Sequence, residues 1–315
     1  MRRHTDFRGL AAQDRGAAAA IGNFDGLHLG HQSVLALARA TAARLDAPFG
    51  VITFEPHPRE FFAPEAPPFR LMNTEARAHR LEKLGVEQLY ELRFDAGLAG
   101  LEAEAFVREV LGEGLGLHHL VAGADFRFGR GRRGDIGLLR ALGPEAGFGV
   151  TEVPLVAGEG DDMSSTAIRA ALRDGRPENA ARSLGHWHRI EGRVAHGDKR
   201  GRELGFPTAN IWLDGLMLPR FGVYAVTVDV LTGPFVGRYA GAASLGVRPM
   251  FGGTRPNLEV FLLDFSGDLY DAEISVALVA WLRPELSFDG LDALIAQMHR
   301  DVAETRARLA AAGQP

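Results

Sequence analysis

Residues 17–31 read Ala-Ala-Ala-Ala-Ile-Gly-Asn-Phe-Asp-Gly-Leu-His-Leu-Gly-His, a small apolar run followed by a glycine-rich turn. The run at 17–21 is typical of a buried strand, and a helical pattern follows the turn. A turn between a strand and a helix N-terminus directs unpaired backbone N–H groups at one point, which suits a phosphate group. The stretch therefore predicts a nucleotide site. Its turn residues are Gly22, Asn23, Phe24, Asp25 and Gly26.

Two histidines, His28 and His31, stand at the start of the predicted helix. Residues three apart share a helix face, so both imidazoles can donate hydrogen bonds to the same phosphate group. They would stabilise the charge that builds on a leaving pyrophosphate. The spacing resembles the His-x-Gly-His signature of adenylyl and cytidylyl transferases. A surface helix with two unrelated histidines is the alternative, and the glycine-rich turn directly upstream argues against it.

Length and composition limit the classes of protein that the chain can belong to. A chain of 315 residues predicts two domains, and 46% hydrophobic with 24% charged residues excludes general disorder. The absence of cysteine removes disulfides, thiolate zinc sites and cysteine nucleophiles. The formal charge of −5 argues against a general nucleic-acid binder. No apolar stretch approaches the ~20 residues that span a bilayer, so we expect no membrane association and a cytoplasmic location.

The first half of the chain alternates short apolar runs with helical patterns. This order predicts an α/β domain with a doubly wound, Rossmann-like parallel sheet, in which ligands bind at the carboxyl ends of the strands. The predicted strands are 18–21, 49–54, 88–92, 119–122 and 149–153. The predicted helices are 32–45, 74–84, 101–110, 136–146 and 165–174.

The second half has a different pattern, with short alternating strands and frequent glycine and proline turns. This pattern predicts a small antiparallel β-barrel, closed by one amphipathic helix at 288–309. The predicted strands are 187–194, 222–230, 239–244, 257–263 and 273–282. We place the domains at 1–184 and 185–315.

Two loops of the first domain follow predicted strands. The first contains Phe54, Pro56, His57 and Pro58, and its prolines stop the strand and stiffen the loop, although an ordinary strand end would look the same. The second runs from 123 to 129, and its aromatic rings could stack on a flavin or an adenine. Its candidate residues are Asp125, Phe126 and Phe128.

Two further segments of the first half carry groups that suit phosphate. Arginines at 127–133 could form a nucleic-acid patch, but nothing extends it, so a loop that closes over a phosphate ligand is the better interpretation. The hydroxyl residues Ser164, Ser165 and Thr166 open a helix, where such residues are common as simple caps. Arg169 favours a functional role, because a guanidinium in that first turn could reach a bound triphosphate.

The second half contains a glycine-rich run from Gly192 to Asn210. Its flexible backbone can lie against a phosphate chain, and its glycines are Gly192, Gly197, Gly201 and Gly205. Thr208 and Asn210 are two apart, so on a strand their oxygens face one side and could share a magnesium ion with a nucleotide. Glu259 could then deprotonate an attacking alcohol. Asp264 and Asp268 are competing carboxylates, and the polar residues could also simply edge a barrel strand.

Together these motifs resemble the bifunctional riboflavin kinase/FAD synthetase family of bacteria over nearly the whole chain. The resemblance rests on the 22–31 run, Phe-Glu-Pro-His-Pro at 54–58, Gly-Phe-Pro-Thr-Ala-Asn at 205–210 and the segments 123–129, 164–169, 222–225, 248–249, 258–260 and 282–285. It implies a C-terminal kinase that phosphorylates riboflavin with ATP, and an N-terminal domain that adenylylates the FMN to FAD. Riboflavin, FMN and ATP are then the partners, and Mg2+ accompanies ATP.

The resemblance also implies roles for the motif residues. His28 and His31 would act on the ATP phosphates, with the 22–26 turn, Ser164, Ser165, Thr166 and Arg169 completing that site. The loops at 54–58 and 125–128 would bind the flavin of FMN. In the kinase, Thr208 and Asn210 would hold magnesium, Glu259 would be the base, and the 192–205 glycines with Pro207 would bind ATP.

Four positions depart from the pattern expected of the family. They are Asp125 for asparagine, Met250 for threonine, Phe261 for histidine and Asp271 for glycine. None removes a candidate catalytic group, but Met250 and Asp271 concern the kinase loops next to the flavin. A flavin- or RNA-binding regulator without turnover is one alternative function, and a nucleotidyltransferase for another phosphate ester is a second.

Overall fold

The computed structural model describes residues 1–154, 164–195, 206, 208–250 and 253–313, and only the backbone of 248–250 and 253–254. The chain divides into two compact units. The first unit comprises residues 1–66 and 77–160, and the second comprises 67–76 and 161–315. Each unit has its own hydrophobic core.

The first unit is built on a six-stranded parallel sheet. Its strands are β1 (Arg2–His4), β2 (Ala18–Ile21), β3 (Phe49–Glu55), β4 (Gln88–Arg93), β5 (His119–Gly123) and β6 (Gly149–Val153). Their order across the sheet is β1-β4-β3-β2-β5-β6. The direction of winding reverses between β2 and β5, which is where doubly wound folds bind ligands. The five strands predicted from the sequence are all present, and β1 is an additional short edge strand.

Small side chains let the centre of this sheet pack closely. All four residues of β2 are buried, as expected for a strand covered on both faces. A Cβ at Gly50, the neighbour of Ala19 on β3, would lie 2.8 Å from the Ala17 Cβ. The run of alanines is therefore a packing requirement of the strand next to the predicted nucleotide turn.

Helices of the first unit connect the parallel strands. They are α1 (Leu29–Leu45), α2 (Pro58–Phe62), α3 (Thr74–Lys83, of which 74–76 cluster with the second unit), α4 (Ala96–Gly100), α5 (Ala103–Ala105) and α6 (Ile136–Leu142). α1 begins three residues before the predicted start. The helix predicted at 101–110 is α5 continued by a π-helical segment (Phe106–Gly114), which ends later than expected.

The second unit is an antiparallel six-stranded barrel. Its strands are β7 (Arg189–Arg193), β8 (Thr208–Trp212), β9 (Gly222–Val230), β10 (Gly237–Met250), β11 (Gly253–Leu262) and β12 (Glu273–Arg283), in the order β7-β12-β9-β10-β11-β8. A bridge between Ala195 and Asn210 brings the two outer strands together and nearly closes the barrel. β10 is longer than predicted, because it pairs with β11 from Gly241 to Met250.

In its described residues, the second unit contains helices on both sides of the barrel strands in the chain. α7 (Ser165–Arg173) and α8 (Pro177–Leu184) precede the barrel, and α9 (Leu291–Ala311) follows it as predicted. α9 packs against β9, β10 and β12. Both predicted architectures, the doubly wound α/β sheet and the small barrel with a closing helix, are confirmed. Within the described ranges, every helix is too short or too polar to cross a lipid bilayer.

Candidate active sites

The nucleotide turn predicted after β2 adopts a constrained backbone. Phe24 and Leu27, with φ of 52° and 48°, are left-handed although neither is glycine. Such conformations cost about 1–2 kcal/mol and persist where the surroundings impose them. Both side chains are almost fully buried, and the Thr53 hydroxyl donates a hydrogen bond to the Asn23 carbonyl at 3.3 Å. Burial and this hydrogen bond therefore both restrict the conformation of the turn.

His28 and His31 meet at the start of α1, as the sequence predicts. Their rings stack with centroids 3.6 Å apart, and the ring of Phe24 meets His31 edge-on at 5.3 Å. His28 caps the helix, because its Nδ1 accepts a hydrogen bond from the His31 backbone N–H at 3.3 Å. In the neutral ring this places the proton on Nε2, the ring nitrogen that does not take part in the cap.

The surroundings of His31 disfavour the charged form of its ring. Loss of hydration is the main effect that holds the pKa of His31 well below its ordinary value, and repulsion from the adjacent His28 adds to it. His31 is therefore neutral at physiological pH. Its Nδ1 is buried and has no hydrogen-bond partner within the described part of the chain.

The three candidate segments of the first unit emerge at one edge of the sheet. The nucleotide turn follows β2, the 54–58 loop follows β3 and the 123–129 loop follows β5, and these strands are neighbours in the order β3-β2-β5. The carboxyl ends of adjacent parallel strands lie side by side, so the topology brings these segments together.

The predicted flavin residues differ in exposure. Phe54 and Phe128 are buried at 7% and 6% exposure, whereas Phe126 is half-buried and Asp125 is exposed. The Phe126 and Phe128 rings stack at 5.7 Å. His57 caps α2, which Pro58 begins, and its Nδ1 accepts from the Arg59 N–H at 3.0 Å.

The hydroxyl-rich segment belongs to the second unit, at the N-terminus of α7. The Ser164 hydroxyl caps this helix by accepting from the Ala167 N–H at 3.1 Å. Arg169 donates from Nε to the Phe69 carbonyl at 2.7 Å. The proposed roles of Ser164, Ser165, Thr166 and Arg169 at a triphosphate stay predictions.

In the barrel, the magnesium and base candidates stand opposite each other. Asn210 on β8 pairs with Glu259 on β11, and Thr208 is two residues from Asn210. Directly opposed residues of antiparallel strands face the same side, so the Asn210 and Glu259 side chains share one face of the sheet. Gly192 lies on β7, and Gly197, Gly201, Gly205 and Pro207 lie outside the described residues.

Sequence reasoning missed Asn257. Its Nδ2 donates to the Asn210 Oδ1 at 3.2 Å, and both side chains are buried, at 2% and 4% exposure. The bond sets the orientation of the amide proposed to bind magnesium and leaves the second lone pair of Oδ1 available. Alternation along β11, with Asn257 two residues before Glu259, could have indicated it.

Two family models match this chain. The FAD synthetase model matches residues 10–167, and the riboflavin kinase model matches residues 184–309. The chain belongs to the bifunctional riboflavin kinase/FMN adenylyltransferase family. This confirms the predicted family and the predicted order, with the synthetase first and the kinase second. The exact boundary at 184/185 stays a prediction, since α7 and α8 cluster with the barrel.

Known members of the family are similar over almost the full chain. The bifunctional riboflavin kinase/FMN adenylyltransferase of Pseudomonas fluorescens is 44% identical, over 95% of this chain and 94% of its own. The enzyme of the same name from Escherichia coli K12 is 41% identical, over 94% of this chain and 93% of its own. A solved Streptococcus pneumoniae structure, described as a macrolide-efflux protein, matches with a TM-score of 0.80 at 31% identity, covering 97% of this chain and 98% of that one.

Proposed function

We propose that the second unit phosphorylates riboflavin through Glu259, Asn210 and Thr208. The pairing of Asn210 with Glu259 across β8 and β11 carries this proposal. Glu259 takes the proton from the terminal hydroxyl of riboflavin, whose oxygen bonds to the γ-phosphorus of ATP as the bond to ADP breaks. A primary alcohol is a weak nucleophile, so the reaction needs such a base.

The donor set also fits a magnesium ion. A hydroxyl and an amide oxygen are hard ligands, and Mg2+ commonly keeps several waters and binds nucleotide phosphates in addition to a few protein oxygens. Within the described ranges, no three acidic, histidine or cysteine residues form a metal-binding group. The ion would neutralise phosphate charge, while Thr208 and Asn210 hold and orient it.

The first unit is proposed to transfer the adenylyl group of ATP to FMN. An FMN phosphate oxygen bonds to the α-phosphorus of ATP, and the bond to pyrophosphate breaks. FMN is already an anion, so this reaction needs positioning and charge stabilisation rather than a base. The nucleotide turn and the two imidazoles provide N–H donors for the phosphates, and the 54–58 and 123–129 loops bind the flavin.

The kinase assignment is tested with Glu259→Gln. We expect FMN formation from riboflavin to fall by about 100-fold or more, because the base is lost, while FAD still forms from supplied FMN. Product chromatography measures both. Glu273→Gln, an exposed carboxylate on β12, is the matched control and should behave as the original protein. FMN formation near the original rate by Glu259→Gln would refute the assignment.

A further inference from the structure

The predicted flavin loop begins at a buried network of charges. β3 ends at Glu55, directly before Pro56, and the Glu55 Oε2 accepts a hydrogen bond from the Arg77 Nη2 at 2.9 Å. The same nitrogen donates to the Glu91 Oε1 on β4 at 3.1 Å. Arg77 therefore links the end of one strand to the middle of the next.

Burial of its charged groups makes this network costly in free energy unless the charges are well paired. Arg77 is 1% exposed and Glu91 4%, whereas Glu55 is 31% exposed. Arg3 on β1 donates to the other Glu91 oxygen from Nε at 3.0 Å and Nη2 at 2.8 Å. Removing charges from water costs several kcal/mol per ion, and pairing returns that cost only with good geometry. The network is therefore held tightly from the Glu91 side.

The start of the loop is also held through its backbone. The Phe94 N–H, just after β4, donates to the Glu55 carbonyl at 2.9 Å. Two residues after Glu55, His57 caps α2 and forms a capping box with Glu60, which fixes the start of that helix. Between these two attachments, Pro56 has no N–H to donate. The ion pair of the Glu55 side chain with Arg77 is therefore a further contact that holds the chain where the loop leaves the sheet.

We propose that Arg77 is a positioning residue for FMN, acting through Glu55 on the 56–58 loop, and this rests on the proposal that the loop binds the flavin. Buried ion pairs contribute little net stability compared with apolar packing, so stability alone is a weak reason for the network. Arg77 also offsets the negative charge of Glu55 at the entrance of a loop that must accept an anionic phosphate ester.

The test is Glu55→Ala, which removes the link to the loop and leaves the buried Arg77–Glu91 pair. We expect the KM for FMN in adenylylation to rise about three- to tenfold, with kcat, the KM for ATP and riboflavin kinase activity within twofold of the original. Glu55→Gln, which keeps an acceptor for Arg77, should restore most of the affinity. Glu152→Ala is the matched control, since it also removes a partly buried glutamate of the same sheet that forms an ion pair with an arginine. Glu152 on β6 is 27% exposed, and its Oε2 lies 2.7 Å from the Nη1 of Arg140 on α6.

Amide hydrogen exchange of the ligand-free protein provides a second readout. Glu55→Ala and Arg77→Lys should both speed exchange in residues 57–62 without changing the barrel. Unchanged exchange there, in either variant, would overturn the positioning role. Faster exchange with an unchanged KM for FMN would overturn the link to FMN and the assignment of this loop to the flavin, while the anchoring itself would stand.

Discussion

At the scale of single residues, the proposed adenylyl-transfer site contains a close approach between the backbone and His28. A Cβ on Gly30 would lie 3.2 Å from both Cε1 and Nδ1 of the His28 ring. The ring occupies the space over the first turn of α1, where it caps the helix and stacks on His31. A side chain at position 30 would therefore make a tight contact with the His28 ring, which would have to shift by a few tenths of an ångström.

The first prediction concerns Gly30→Ala. The added methyl group should displace His28 and lower the rate of FAD formation from FMN by about tenfold or more, as loss of a positioned donor does. Stability should not fall much, because alanine favours a helix by about 1 kcal/mol over glycine. Steady-state adenylylation and thermal unfolding measure the two effects.

The matched control is Gly100→Ala at the end of α4, where an added Cβ meets nothing within 4 Å. It should leave both activities unchanged. If Gly30→Ala makes FAD at the original rate, the close approach of Gly30 to His28 has no catalytic importance.

Local motifs indicate some of the candidate site residues and give no sign of their partners. His28, His31, Asn210 and Glu259 lie within short motifs, so the sequence predicts them. Arg77 lies 22 residues along the chain from Glu55, and Asn257 lies 47 residues from Asn210. These pairs come into contact only when the chain folds. The capping role of the His28 Nδ1 also depends on a side-chain rotamer that no spacing shows.

At the scale of elements, hydrophobic periodicity predicted most strands and helices. It missed β1, whose two arginines and histidine carry no apolar signal, although they pair with β4. It identified Thr208 and Asn210 as extended but did not define β8, because the strand is short and follows a glycine-rich run. It also missed α8, which begins at Pro177 in a polar sequence.

The second prediction concerns the pairing of β8 with β11. Asn257→Ala should leave the Asn210 amide free to rotate and raise the magnesium concentration for half-maximal kinase activity about three- to tenfold. Adenylylation of supplied FMN in the same molecule is the control and should not change. An unchanged magnesium requirement would show that Asn257 does not orient the metal ligand.

The third prediction concerns His188, a buried residue in the connection between α8 and β7. Two effects lower the pKa of His188 to about 3, of which burial is the larger and the positive charge of the nearby His186 is the smaller. The unfolded chain binds a proton near pH 6.5, so folding loses stability as the pH falls below that value, by up to about 1.4 kcal/mol per pH unit. Urea unfolding at pH 7.5 and 5.5 should show a smaller loss for His188→Leu than for the original protein. Equal losses would contradict the prediction.

At the scale of the whole molecule, the chain consists of two units with different folds. The change from α/β alternation to short alternating strands was visible in the sequence, because each fold imposes its own hydrophobic period. The association of residues 67–76 with the second unit was not, since it rests on tertiary contacts such as the bridge between Arg70 and Leu216. Local patterns contain no record of such contacts.

The central claim is that two separate sites act in series on riboflavin. It is tested by giving riboflavin, ATP and magnesium to a His28→Ala/His31→Ala variant, to Glu259→Gln, and to a mixture of the two. The first should accumulate FMN, the second should make neither product, and the mixture should make FAD, because FMN from one molecule reaches the intact site of the other. FAD made from riboflavin by the double-histidine variant alone, at the original rate, would contradict the account.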